Sequence, residues 1–216
     1  VWEAGNKNIP GIYIEFKEPW LNPKGFEQIV YDVLANTQDM NIIEKPEPED
    51  TPFYINNGTI NVGNTNGKVI LQPFSLESLV RVAEVFQGKV PMCFLLWKGT
   101  GATDLTYDDP LGYASFINLG VKYKAHFIGP CIAGAPNDYP ELDQPWQDYL
   151  IHRAKMKNHP YTFDTYDQMA KYFGQYNFGV ADGMFNPPYL DALFTNHSDM
   201  SINYMITHGW RKSPAS

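Results

Sequence analysis

Several large protein classes are closed to this chain by what it lacks. Two cysteines in 216 residues, Cys93 and Cys131, cannot make a disulfide framework. They are expected as buried thiols. Basic residues are outnumbered, 16 Lys and Arg against 24 Asp and Glu, for a net charge of −8. A nucleic-acid binder needs a basic surface, so nucleic acid is excluded as a partner. No apolar run approaches the roughly 20 residues that cross a bilayer, and no transmembrane segment is expected. No Gly-x-Gly-x-x-Gly follows a predicted strand, which disfavours a dinucleotide fold. The five histidines never fall in His-x-x-His spacing. Val1-Trp2-Glu3-Ala4-Gly5-Asn6 lacks a charged n-region and an apolar core, so no signal peptide is expected.

What remains is the composition of a globular chain, 44% hydrophobic and 15% aromatic, with residues 1–216 expected as a single domain. Apolar runs at Ile12–Phe16, Val69–Phe74, Val90–Trp97, His126–Ile128, Tyr161–Phe163 and Leu190–Thr195 read as six strands. Amphipathic stretches lie between them. The first helix is expected with Asn22 as N-cap and Pro23 at its first position. Its apolar stripe is Phe26, Ile29, Val30, Val33 and Leu34. The second opens at Ser75 and closes at Gly88 and Lys89, the third runs from Asp109-Pro110 to Gly120, and the fourth from Pro145 to Lys157. A fifth follows Asp164 or Thr165 and a sixth follows Ser198. Strands alternating with helices predict a parallel sheet.

The segment Gly11-Ile12-Tyr13-Ile14-Glu15-Phe16-Lys17-Glu18-Pro19 carries the most chemistry. Strand side chains alternate, so Ile12, Ile14 and Phe16 share one face and Tyr13, Glu15 and Lys17 the other. A carboxylate and an ammonium at the end of a strand are costly when buried without partners. At the mouth of a parallel barrel they make a site for a cation and a phosphate. Gln72, Thr195 and Asn196 also fall at strand ends. Chemistry at the C-terminal rim is the pattern of a TIM-like barrel, which typically has about 250 residues and eight strands.

These segments resemble the glycerophosphodiester phosphodiesterase family. Gly11–Pro19 is similar to its third strand. Val69-Ile70-Leu71-Gln72-Pro73-Phe74-Ser75-Leu76-Glu77-Ser78-Leu79 resembles the next strand and helix. His159-Pro160-Tyr161-Thr162-Phe163-Asp164 resembles the seventh strand, and Asp191-Ala192-Leu193-Phe194-Thr195-Asn196 the closing one. The resemblance implies an α/β fold, a TIM-like (βα) barrel present here as its C-terminal three-quarters. It implies metal-dependent hydrolysis of glycerophosphodiesters to glycerol 3-phosphate and an alcohol, with Mg²⁺ or Ca²⁺. Glu15 matches a metal ligand, Lys17 a phosphate-binding lysine, Gln72 a polar pocket residue and Tyr161 an aromatic one. Export from the cytoplasm is implied by the family.

The departures are equally specific. The family carries a His-Arg pair on its first strand, and Glu-x-Asp ligands with a His-Asp pair on its second. None of these precedes Glu15, so no catalytic residue is assigned, and a companion chain or segment is expected to carry the first strands. Pro73 replaces a usual Ser. The alternative is an inactive structural or binding protein on the same barrel. A glycosidase with Glu15 as acid would need a second carboxylate roughly 5–9 Å away, and Asp191 lies at the wrong end of its strand. A phospholipase D-like toxin of related fold would share Glu15 and Lys17. His126, His152 and His159 are expected to be structural, whereas His197 could reach the rim. Trp97, Trp146 and Trp210 are expected in packing. Asn57-Gly58-Thr59 and Asn196-His197-Ser198 match the glycosylation pattern, and Glu44–Asp50 reads as a solvated loop.

Overall fold

The structure, a computed structural model, describes residues 12–36, 55–56, 59–60, 69–88, 90–98, 107–177, 190–209 and 211. Asn57, Gly58, Trp210 and the 44–50 loop lie outside the described residues. Strands and helices alternate along the chain. They are β1 (Ile12–Phe16), α1 (Phe26–Asn36), the short β2 (Ile55–Asn56) and β3 (Thr59–Ile60), β4 (Val69–Pro73) and α2 (Leu76–Phe86). Then come β5 (Cys93–Leu96), α3 (Pro110–Lys122), β6 (Phe127–Pro130), α4 (Pro145–Arg153), β7 (Lys157–Asn158), α5 (Tyr166–Phe173) and α6 (Ser198–Thr207). The fold is mixed α/β with small parallel sheets: β1 pairs with β4, and β5, β6 and β7 run side by side. A single parallel bridge, Leu71 to Met92, joins the two. Among the described residues the strands close no ring.

Alternation sorts the strand residues as the period of two demands. Ile12, Ile14, Phe16, Val69, Leu71, Phe94, Leu96 and Ile128 pack in the large core. The opposite parity, Tyr13, Ile70, Phe74, Cys93, Leu95 and Phe127, makes a separate cluster on the other side of the strands. Gly129 belongs to that second face. A Cβ there would lie 2.6 Å from Leu95 Cδ2, 2.9 Å from Cys93 Sγ and 3.1 Å from the His159 carbonyl oxygen. No side chain fits without displacing its neighbours.

Helix starts follow their caps. Ser75 Oγ accepts from the Ser78 amide, Asp109 Oδ1 from Gly112, and Thr165 Oγ1 from Gln168. Each satisfies one of the donors that a helix N-terminus leaves unpaired. The first helix departs from expectation. Pro19–Leu21 forms a 3-10 turn with Asn22 extended at its end, and Gly25 takes φ +105°. That left-handed residue bars a helix through it, so α1 begins at Phe26 rather than Pro23. Leu34 is buried, but Phe26, Ile29 and Val33 stand exposed.

The fourth helix stops at Arg153, short of Lys157, because Lys155 turns left-handed (φ +63°) and Lys157 enters β7. The strand expected at Tyr161–Phe163 thus begins four residues earlier. Amides of Lys157, His159 and Tyr161 donate to carbonyls of His126, Ile128 and Pro130. Carbonyls of the intervening Asn158 and Pro160 accept from Asp191, Ala192 and Phe194 on the other edge. Pro160, with no N–H to offer, still completes its share as an acceptor. Leu190–Thr195 therefore lies extended beside 158–163 without counting as a regular strand.

Candidate functional site

A cleft of about 420 Å³ opens at the C-terminal ends of β1, β4 and β5. It holds Glu15, Lys17, Gln72 and Tyr161 together, the four residues singled out from the sequence. Glu15 stands opposite Gln72 in the parallel register. Lys17 Nζ lies 3.9 Å from Glu15 Oε1, with Lys17 57% and Glu15 40% exposed. An exposed pair of this kind contributes at most about 1 kcal/mol, so folding alone does not require it. The Lys17 ammonium also sits 4.8 Å above the Phe74 ring, a favourable cation–π position. The Tyr161 hydroxyl donates to the Leu96 carbonyl at 3.1 Å, which turns its ring rather than its proton toward the cleft. Burial pushes that phenol's pKa well up.

The wall is more aromatic than the sequence suggested. Trp20, Phe74, Trp97, Tyr139 and Phe194 line it with Tyr161. Phe74 and Trp97 lie 5.2 Å apart, and Tyr139 meets Tyr161 edge-on at 5.9 Å. Phe74 and Trp97 had a readable signal, since each is two residues beyond a cleft-lining strand residue, Gln72 and Leu95. Trp20 reaches the cleft from the 3-10 turn, Tyr139 from a loop and Phe194 from the extended segment beside 158–163. Glu18 also lines it, with a left-handed backbone at φ +50° and ψ +58°.

Toward the N-terminal ends of the strands the same face is closed by a buried polar contact. The Tyr13 hydroxyl lies 3.0 Å from His159 Nδ1, and the His159 ring stacks on Phe127 at 4.2 Å. Burial pulls the His159 pKa down to about 4 and pushes the Cys93 thiol up to about 12. Both groups are neutral near pH 7, and Cys93 is fully buried. None of the five histidines lines the cleft. His126 is buried under Met92, where burial lowers its pKa to about 3. His197 sits exposed at the start of α6, and His208 stacks on Tyr204 at 3.9 Å.

His152 belongs to a second polar cluster behind the strands. Its Nδ1 lies 3.1 Å from Asp148 and its Nε2 2.7 Å from Asp191. Asp191 also accepts from Lys157 Nζ and the Asn158 amide. Asn158 Nδ2 donates to both Asp143 and Asp148 at 2.8 Å. Asp191 is therefore engaged away from the cleft. Thr195 Oγ1 accepts from the His197 amide and Asn196 Nδ2 donates to Asp164, so both serve the turn into α6.

Among the described residues, no three His, Cys, Asp or Glu side chains are grouped to hold a metal ion. Mg²⁺ and Ca²⁺ take about six to eight oxygen ligands, and Glu15 does not meet that need with its described neighbours. No described helix is long and apolar enough to cross a membrane. No family model matches the chain, and no curated protein matches it significantly.

Proposed function

We propose that this chain supplies most of the substrate cleft of a glycerophosphodiester hydrolase built on a TIM-like barrel. The supporting observation is the convergence of Glu15, Lys17, Gln72 and Tyr161 on one cleft at the ends of parallel strands. Lys17 offers a point charge for the non-bridging oxygens of a phosphodiester, where negative charge grows in the transition state. Gln72 orients a hydroxyl or phosphate oxygen, and the Tyr161 ring bounds the space. Glu15 is one carboxylate of a divalent-cation site whose remaining ligands come from elsewhere. The proton transfers need a general acid and base, for which histidine is suited near neutral pH. Those groups come from a companion segment or chain.

The experiment is hydrolysis of glycerophosphodiesters by the native material, with its intact mass recorded. Release of glycerol 3-phosphate, abolished by a chelator and restored by Mg²⁺ or Ca²⁺, is the expected result. No release from preparations that contain a His-Arg and Glu-x-Asp companion would overturn the proposal. A second reading, a binding protein without catalysis, is favoured by one observation: the described residues that line the cleft include no histidine. It predicts phosphodiester binding without turnover in the same assay.

A further inference from the structure

Resting on the phosphodiester reading of the cleft, we propose that Arg81 is a positioning residue for its mouth, holding Glu18 and Trp20 at the opening from outside. Arg81 lies on α2 and does not line the cleft. Its Nη1 donates to the Pro19 carbonyl at 2.9 Å and lies 3.4 Å from the Asn22 carbonyl oxygen. Those two carbonyls stand at the two ends of the 3-10 turn that carries Trp20. Nη2 pairs with Glu77 one turn back along α2, and Glu27 Oε1 of α1 lies 3.8 Å from Nη1. The Arg81 side chain is only 14% exposed. A planar, pre-organised fork of donors suits several acceptors held at once.

The segment that Arg81 grips needs an external hold. Glu18 has left-handed backbone geometry at φ +50°, which a residue with a Cβ keeps only when its surroundings over-determine it. Both flanks of Glu18 are fastened. On one side the Phe16 carbonyl accepts from the Phe74 amide at 3.1 Å and from Ser78 Oγ at 3.0 Å. On the other side the Pro19 carbonyl accepts from Arg81. Ser78 and Arg81 are three apart on α2 and therefore share a helix face. The turn itself adds two amide bonds, Leu21 to the Glu18 carbonyl and Asn22 to the Pro19 carbonyl. Trp20 and Leu21 are exposed, so burial of their side chains does little to fix the turn. Without Arg81 the strain at Glu18 is released by movement of the turn, and Glu18 and Trp20 leave the opening that they line.

The test is amide hydrogen exchange of the full chain, read by NMR at Leu21 and Asn22. In Arg81→Met both amides should exchange at least about tenfold faster, as for the loss of one charge-assisted hydrogen bond. Amides of α3, α4 and α5 should keep their wild-type rates. Glu77→Gln removes an ion pair and keeps both carbonyl contacts, so its Leu21 and Asn22 should exchange as in wild type. Should Arg81→Met fail to fold because Glu27 is left buried without its cation, the double variant Glu27→Gln/Arg81→Met takes its place. Equilibrium dialysis of sn-glycero-3-phosphoglycerol should show several-fold weaker binding to Arg81→Met and undiminished binding to Glu77→Gln. Unchanged exchange at Leu21 and Asn22, acceleration spread evenly over the chain, an equal effect of Glu77→Gln, or local acceleration with undiminished binding would overturn the inference. If wild type does not bind the probe, the phosphodiester reading alone is sunk, because the exchange rates decide the role of Arg81 without a ligand.

Discussion

His152 Nε2 lies 2.7 Å from Asp191 Oδ2 while its Nδ1 lies 3.1 Å from Asp148. The imidazole thus bridges α4 to the segment that carries Phe194 into the cleft. Burial opposes charge on the ring, yet the hydrogen bonds to Asp148 and Asp191 prevail and raise its pKa to about 10. Burial also opposes charge on Asp191, and the His152 bond, the Asn158 amide and Lys157 together hold its pKa below the usual value.

The sign of the resulting pH dependence follows from linkage. A histidine raised from 6.5 to about 10 contributes its full stability below about pH 6.5. That contribution declines as pH rises to about 10. Asp191, lowered on folding, contributes above about pH 4 and loses that contribution as pH falls through its folded value. Denaturant melts of wild type and His152→Ala from pH 6 to 10.5 should converge toward alkaline pH. At pH 6 the variant should be less stable by about 3 kcal/mol, because Asp148 is left buried without its cation. Parallel curves would remove His152 from this role.

Gly129→Ala should destabilise the protein by about 1–3 kcal/mol. The added methyl meets Leu95 and Cys93, and behind them the fixed His159 carbonyl. Chemical denaturation with an unchanged m-value is the measurement.

Tyr161→Phe should cost about 1 kcal/mol of stability through the lost bond to Leu96. On the hydrolase proposal, KM for a phosphodiester should stay unchanged, since the ring and not the hydroxyl bounds the cleft. A large rise in KM would mean that the hydroxyl meets substrate.

Lys17→Gln should change stability by less than about 0.5 kcal/mol, as expected for an exposed side chain. On the hydrolase proposal, affinity for a glycerophosphodiester should fall about tenfold, a typical loss for one charge-assisted contact. Equilibrium dialysis and a denaturant melt on the same preparation separate the two effects.

Cys93 and Cys131 should resist thiol reagents at pH 8 in the native protein and react fully in denaturant. Both are buried, and burial pushes each thiol up to about 12, which starves them of thiolate. Fast labelling of either in native buffer would show that it is reached by local opening.

Local pattern made much of this molecule readable. The alternation in Ile12–Phe16 placed Glu15 and Lys17 on the face opposite the large core. Ser75, Asp109 and the Asp164-Thr165 pair announced the starts of α2, α3 and α5 because a cap is a contact between residues three apart, and the structure chose Thr165. The misread start of α1 and the early start of β7 turned on Gly25 and Lys155, whose left-handed geometry no neighbouring pattern signals. Closure of the parallel strands into a barrel remains a proposal, supported by their order and by Tyr13 meeting Phe194 at 4.8 Å.

The sequence by itself determined which strand face is polar and where most helices begin, since period and capping act over a few residues. Only the tertiary structure decided that Tyr13 meets His159 across 146 positions, that His152 is fastened to Asp191, and that Trp20, Tyr139 and Phe194 wall the cleft. Such contacts arise from how distant segments pack, and no local spacing encodes them.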